Sequence, residues 1–170
     1  MNIAVRSLSA RSTVGHVAFG TFTSRCALGR GGRRTRKREG DGSSPVGRWL
    51  MLAVYYRSDR MRRPRTLLPV RAIGQRDGWC DAPGDRNYNR PVWHPYPRSA
   101  EHLWRTDGVY DILVTLSHNV RPRVRGHGSA VFVHLAREDF APTAGCLAVS
   151  EATLRKILER VRPGRAFVVF

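Results

Sequence analysis

The chain has 170 residues, 41% hydrophobic and 25% charged, with 30 Lys and Arg against 13 Asp and Glu for a formal net charge of +17. That balance excludes an intrinsically disordered chain and supplies the core of one ordinary domain, while the length is short for two. No stretch approaches the roughly 18 consecutive apolar residues of a membrane span, and MNIAVRSLSARSTVGHVAFGTFTSR has no unbroken apolar run of the kind a secretion signal needs.

Almost all the positive charge is Arg, and most of the excess lies in the first half: residues 1–76 hold 17 basic and 3 acidic residues, and residues 77–170 hold 13 and 10. A basic half of this kind attracts polyanions such as nucleic acid, anionic headgroups or acidic wall polymers; an Arg-rich genome-wide composition explains it equally well.

In chain order, residues 1–24 alternate apolar and small polar side chains, as short strands or a hairpin do. GRGGRRTRKREGDGSSPVG, residues 29–47, reads as a long solvated loop, a place where binding groups tend to sit. RWLMLAVYYR (48–57) reads as a strand, and TLLPVRAI, with Pro69 inside it, as an edge strand or extended segment. Residues 74–97 are dense in Gly, Pro, Asp and Asn, and read as an ordered irregular loop packed by Trp79, Tyr88 and Trp93. SAEHLWR (99–105) opens on a Ser cap and predicts a short helix. YDILVTLSHN (110–119) predicts a central strand and SAVFVHL (129–135) another. Ser150 then caps EATLRKILERV, where Leu154, Ile157, Leu158 and Val161 form one apolar face, and Pro163 and Gly164 stop the helix before a last strand, RAFVVF. The expected fold is mainly β, a β-sandwich with a C-terminal amphipathic helix and a short helix before the central strand.

Cys26, Cys80 and Cys146 form no CxxC pair, which excludes zinc-finger spacing; the odd count leaves at least one free thiol, with Cys26–Cys80 as the one disulfide considered. Cys146 sits in PTAGCLAVS. A preceding glycine lets main-chain amides approach a reacting carbonyl oxygen, so the amides near Gly145 and Cys146 are natural oxyanion donors. A thiol there still needs a base. His134 ends the apolar run AVFV and shares a face with Phe132, opposite Val131 and Val133. His127, in a Gly-His-Gly turn among arginines, is the rival. Spacing alone leaves nucleophile and buried thiol both open. No metal is expected, because His127 and His134 have no close third ligand, and GRGG lacks the frame of a phosphate loop.

AVFVH, then PTAGC, then a Ser-capped helix ending in RPG and a last strand resemble the L,D-transpeptidase (YkuD-type) catalytic domain. EGDGSSPVGRW, DGWCD with YNR, and SAEHLWRTDGVYDILV extend the likeness upstream, so that the resemblance covers residues 25–170, after N-terminal strands in residues 1–24. It implies a cysteine acyltransferase that acts on peptidoglycan stem peptides without a cofactor, at the bacterial periplasm or envelope, with a cytoplasmic location as the alternative. By position Cys146 is the nucleophile, His134 the base, and Gly145, Thr143, Ser129 and His127 the oxyanion or substrate-binding candidates. Two positions depart from the family pattern: Ala144 where many members have His, and Ala148 where many have Arg. Stem peptides are the expected partner and no nucleic acid is expected. An L,D-carboxypeptidase, or a non-catalytic basic wall- or nucleic-acid-binding module, are the alternatives.

Overall fold

Alternation of buried and exposed side chains builds the first three strands, β1 (Ile3–Arg6), β2 (Val14–Phe19) and β3 (Phe22–Ala27), into an antiparallel meander. The computed structural model describes residues 2–170. Inside the Arg-rich segment, β4 (Arg33–Arg34) and β5 (Ser44–Pro45) form a short parallel pair. The long strand β6 (Gly47–Tyr56) follows, and β7 (Val70–Ala72) pairs alongside it. β8 (Asp77–Cys80), β9 (Pro91–Trp93) and β10 (Ala100–His102) make a separate antiparallel sheet with β8 in the middle. β11 (Ile112–Leu116), β12 (Phe132–Leu135), β13 (Leu147–Val149), helix α1 (Glu151–Arg160) and β14 (Ala166–Val169) complete the chain.

The main sheet runs β11-β12-β13-β3-β2-β1-β14-β6-β7, and an additional β11–β6 pairing closes it into a barrel-like ring. β6 makes the closure possible because it is long. Its first residues, 47–50, pair with β14, and residues 51–56 pair with β11. β7 lies outside the ring as an edge, where Pro69 just before it costs no ladder bond.

Two apolar clusters share the ring's strands by alternation. Val131 and Val133 face the main core with Ile112, Val114, Leu147 and Val149, whereas Leu113, Phe132 and Cys146 face a second cluster with Trp79, Leu103 and Tyr110. The small sheet therefore packs over the strand face that carries Cys146. α1 lays Leu154, Ile157, Leu158 and Val161 into the main core. Its first turn is capped by the Ser150 side chain, which accepts from the Thr153 N–H.

Three expectations change, and the one disulfide considered does not form. Residues 99–105 are not a helix: Ala100, Glu101 and His102 pair with Cys80, Trp79 and Gly78. A seven-residue helix is too short to hold itself together against a strand that offers its backbone bonds. Trp79 and Tyr88 pack the 74–97 region, but Trp93 is 69% exposed on the outer strand β9. Cys26 and Cys80 are both buried free thiols, one in the main core and the other in the small sheet, so no disulfide joins them. The basic 29–47 segment is irregular, yet Lys37, Ser43 and Ser44 within it are buried rather than solvated.

Leu154→Ala removes a fully buried side chain from the main core and is expected to cost about 2–5 kcal/mol. Urea unfolding should show a lower midpoint with an unchanged slope.

Candidate active site

β12 and β13 run parallel, with Val133 opposite Leu147 and His134 opposite Ala148. Phe132 continues that register next to Cys146, and its N–H donates to the Cys146 sulfur at 3.3 Å. Cys146 and His134 thus lie on one face of neighbouring strands, offset by two residues. Strand geometry places their Cα atoms on the order of 8 Å apart, within side-chain reach of each other.

Both line a groove made of two connected lobes. The inner lobe, about 320 Å³, contains Cys146, Gly145, Lys37, Ser129 and His134. The outer lobe, about 240 Å³, contains Thr143, Arg137 and Ala148, and shares Arg30, Glu101, Tyr110, His134 and Ala144 with the inner one.

Cys146 as a residue is 8% exposed, and its thiol is buried. It donates to the Ala130 carbonyl at 3.1 Å, and Ala130 holds the left-handed φ of 49° that an L-residue adopts only when its surroundings impose it. Those surroundings include Asn89, whose Oδ1 accepts from both the Ala130 N–H and the Trp79 indole. Burial, aided by the nearby Glu101 carboxyl, pushes the thiol up to about 12, against smaller downward contributions from the Phe132 N–H and Lys37.

Burial also pulls His134 down to about 4, against the upward effect of its bond to the Leu135 carbonyl. That bond, 2.9 Å from Nδ1, fixes the tautomer, because a carbonyl can only accept. Nδ1 carries the proton, and Nε2 presents a lone pair. The ring is held edge-on by Tyr110 at a centroid distance of 5.2 Å. Both shifts favour the neutral forms, thiol for Cys146 and imidazole for His134.

The loop before Cys146 is clamped through one carbonyl. The Cys146 oxygen accepts from Thr143 Oγ1 at 2.7 Å and from Ser44 Oγ at 3.0 Å. Ser44 Oγ accepts in turn from the Gly29 N–H. Thr143 Oγ1 also receives the Gly145 N–H at 3.1 Å, which takes that amide out of the pair of oxyanion donors expected from the Gly-Cys step. Gly145 has φ +133°, and a Cβ there would lie 3.2 Å from Lys37 Nζ and 3.1 Å from the Ser43 carbonyl, so the position needs glycine on two counts.

Lys37 reaches the cleft from the basic segment, passing Gly128 and Gly145, and is paired with Asp41 at 2.7 Å. Burial works against the Asp41 charge, but the bonds from Lys37 and from the Arg38 and Ser43 N–H groups outweigh it and hold the carboxyl below its usual range. Ser129 donates to Glu39 at 2.8 Å on the inner wall. His127 does not join them. Its side chain is exposed and absent from the lining of both lobes, while its carbonyl supports the buried His118 ring.

The match to protein families decides the kinship of this arrangement: the model of the L,D-transpeptidase catalytic domain, YkuD, matches residues 12–169. The chain belongs to that family. The match begins at residue 12, just before β2, and so takes in most of the ring. Members of the YkuD family act on peptidoglycan and are typically associated with the cell envelope. No curated protein and no solved structure gave a significant match. Among the described residues, no helix is long and apolar enough to cross a membrane, and no group of three or more His, Cys, Asp or Glu is placed to hold a metal ion.

Several residues at the site carry no local signal. Glu101 and Tyr110 arrive from β10 and from the turn before β11, Lys37 from the basic segment, and Asn89 from the loop between β8 and β9. Only their shared closeness to Cys146 in the fold marks them.

His134 has a folded-state pKa below that of the unfolded chain, so between about 6.5 and about 4 the unfolded state binds more protons and stability falls as pH falls. The lowered His118 acts in the same direction. Comparing urea midpoints at pH 7 and pH 5, His134→Gln is expected to lose less stability on acidification than the unmodified protein does.

Proposed function

We propose that this YkuD protein is a cysteine-dependent L,D-transpeptidase that acts on peptidoglycan stem peptides at the cell envelope by acyl-thioester transfer. The observation that carries the reading is the placement of Cys146 and His134 on one face of adjacent parallel strands, with His134 Nδ1 committed to the Leu135 carbonyl and Nε2 left to take a proton.

In the first half-reaction, the donor carbonyl enters the inner lobe, and Cys146 attacks as its proton moves to His134 Nε2. Because both groups rest neutral, attack and proton transfer occur together rather than through a standing thiolate. The developing oxyanion is assigned to the Cys146 N–H, with Lys37 Nζ as the nearby cation, since the Gly145 N–H is engaged by Thr143. His134 then protonates the departing amine and leaves a thioester. In the second half-reaction an acceptor amine attacks the thioester, passes its proton to His134, and expels the Cys146 sulfur. Water in place of the amine gives an L,D-carboxypeptidase.

Ala148 supplies no cation to the outer lobe, but Arg30, Arg105 and Arg137 line it from other elements. Arg105 is bound by two hydrogen bonds to Asp107, and Arg137 also touches that carboxylate. Arg30 makes no ion pair with the described residues and is the cation we assign to a substrate carboxylate. Arg30→Ala is expected to raise KM about tenfold with a smaller change in kcat, and to flatten the dependence of KM on salt.

The burial of the Cys146 thiol favours a second reading, a non-catalytic basic module that binds anionic wall polymers. Intact-mass measurement after exposure to a carbapenem or a stem tetrapeptide separates the two. A covalent adduct is expected on the unmodified protein and absent from Cys146→Ala. His134→Gln should slow its formation by at least about 10²-fold, and His127→Ala should leave it in place. A protein that never forms the adduct would sink the enzyme reading, and an adduct on Cys26 or Cys80 would move the site.

A further inference from the structure

An Arg-rich protein of net charge +17 nonetheless places carboxylates around its cleft. Glu39, Asp81 and Glu101 all line the inner lobe, and Glu101 is the one acidic side chain lining the outer lobe as well. Glu39 has its Oε2 occupied by the hydroxyls of Tyr88 and Ser129. Glu101 accepts one hydrogen bond where Glu39 accepts two: its Oε1 takes the Tyr110 hydroxyl, and its Oε2 has no hydrogen-bond partner among the described residues.

The sheet explains how it gets there. Glu101 lies opposite Trp79 on β8, and two residues further on Asp81 leaves that strand on the same face. Asp81 Oδ1 is shielded from solvent and also takes no hydrogen bond. Arg105, whose charge acts on Glu101, is engaged by Asp107, and Lys37 by Asp41, while Arg30 lines both lobes without an ion pair among the described residues. Tyr110 couples the pair to the chemistry, because the ring whose hydroxyl holds Glu101 also packs against His134.

Resting on the transpeptidase reading above, we propose that Glu101, backed by Asp81, is the acceptor site: it binds the incoming ammonium and takes the proton that must leave before the amine can attack. His134 cannot supply this step in addition to its own. It takes one proton from the attacking nitrogen and returns it to the Cys146 sulfur as the C–S bond breaks, ending as it began. An amine that arrives as an ammonium brings one proton more. That proton passes to the Glu101 carboxylate, the freed amine adds to the thioester carbonyl, a second N–H proton goes to His134 and on to sulfur, and Glu101 later releases its proton to solvent. Burial holds the Glu101 carboxyl above its ordinary range, against the lowering effects of Tyr110 and Arg105, which strengthens it as a proton acceptor. Water attacking the same thioester brings no such extra proton, so the assignment predicts that Glu101 governs which acceptor wins.

The test uses a stem tetrapeptide as donor and a second, amine-bearing stem peptide as acceptor, with amide and hydrolysis products counted by mass spectrometry. Their ratio is read from one common thioester, so it is independent of the speed of acylation. Glu101→Gln is expected to lower the amide-to-hydrolysis ratio at least about tenfold, and Glu101→Asp by less. The carbapenem adduct shows that each variant folds and reaches the thioester; should the Gln variant not fold, the Asp variant carries the test. A variant that forms the adduct and keeps the unmodified ratio overturns this assignment alone. An unmodified protein that forms no adduct overturns the transpeptidase reading and this assignment with it, and one that acylates but yields only hydrolysis overturns the acceptor site while leaving the thiol chemistry intact.

Discussion

The parallel pairing of β12 with β13 is the constraint from which the site follows. Parallel strands need a crossover, and the one here is short: residues 136–146 leave the end of β12, turn, and return past Thr143 and Gly145 to place Cys146 beside Phe132. A shift of one residue would carry His134 and Cys146 to opposite faces, one of them into the aliphatic core with Val133 and Leu147. That core is what pins the register. Burial of alternate Val and Leu side chains sets the side on which the polar partners emerge.

A second constraint acts through main-chain oxygen rather than side-chain packing. The Cys146 carbonyl collects hydroxyls from Thr143 on its own loop and from Ser44 on the distant basic segment. Severing either leaves a buried acceptor short of a partner. The basic segment is thereby fastened under the cleft, and the same fastening brings Lys37 beneath Gly128 and Gly145. Its charge therefore has two parts: an exposed arginine surface that acts over a Debye length, and one buried lysine, neutralised by Asp41, that acts over a few ångströms.

The strand that carries His134, the glycine turn before Cys146 and the capped helix were legible in the sequence because each rests on a local pattern: strand alternation around AVFVH, glycine before cysteine, and Ser150 before a 3.6-residue period. The barrel-like closure was not legible. It depends on β6 serving different neighbours along its length, and a strand's side-chain pattern does not name its partners. Residues 99–105 misled for a related reason. The Ser cap and the Leu-Trp pair are compatible with a helical turn, but β8 offers a ladder whose bonds such a short helix cannot match. Glu101 became visible only once it was a strand residue facing a cleft. The Gly-Cys step suggested two amide donors, and a hydroxyl three residues upstream of the cysteine claims one of them.

The ring also bears on how such a molecule is made. β1 and β14 lie side by side, with Ile3 opposite Phe167, although nearly the whole chain separates them. Until β14 is in place, β1 and β6 each keep an open edge, and Phe167 and Val169 are missing from the core that fixes the register of β12 and β13. Contacts of such sequence separation form late and slowly. Cys146 is thus brought into register with His134 by the same long-range event that closes the ring, and the acylation proposed for it awaits that closure.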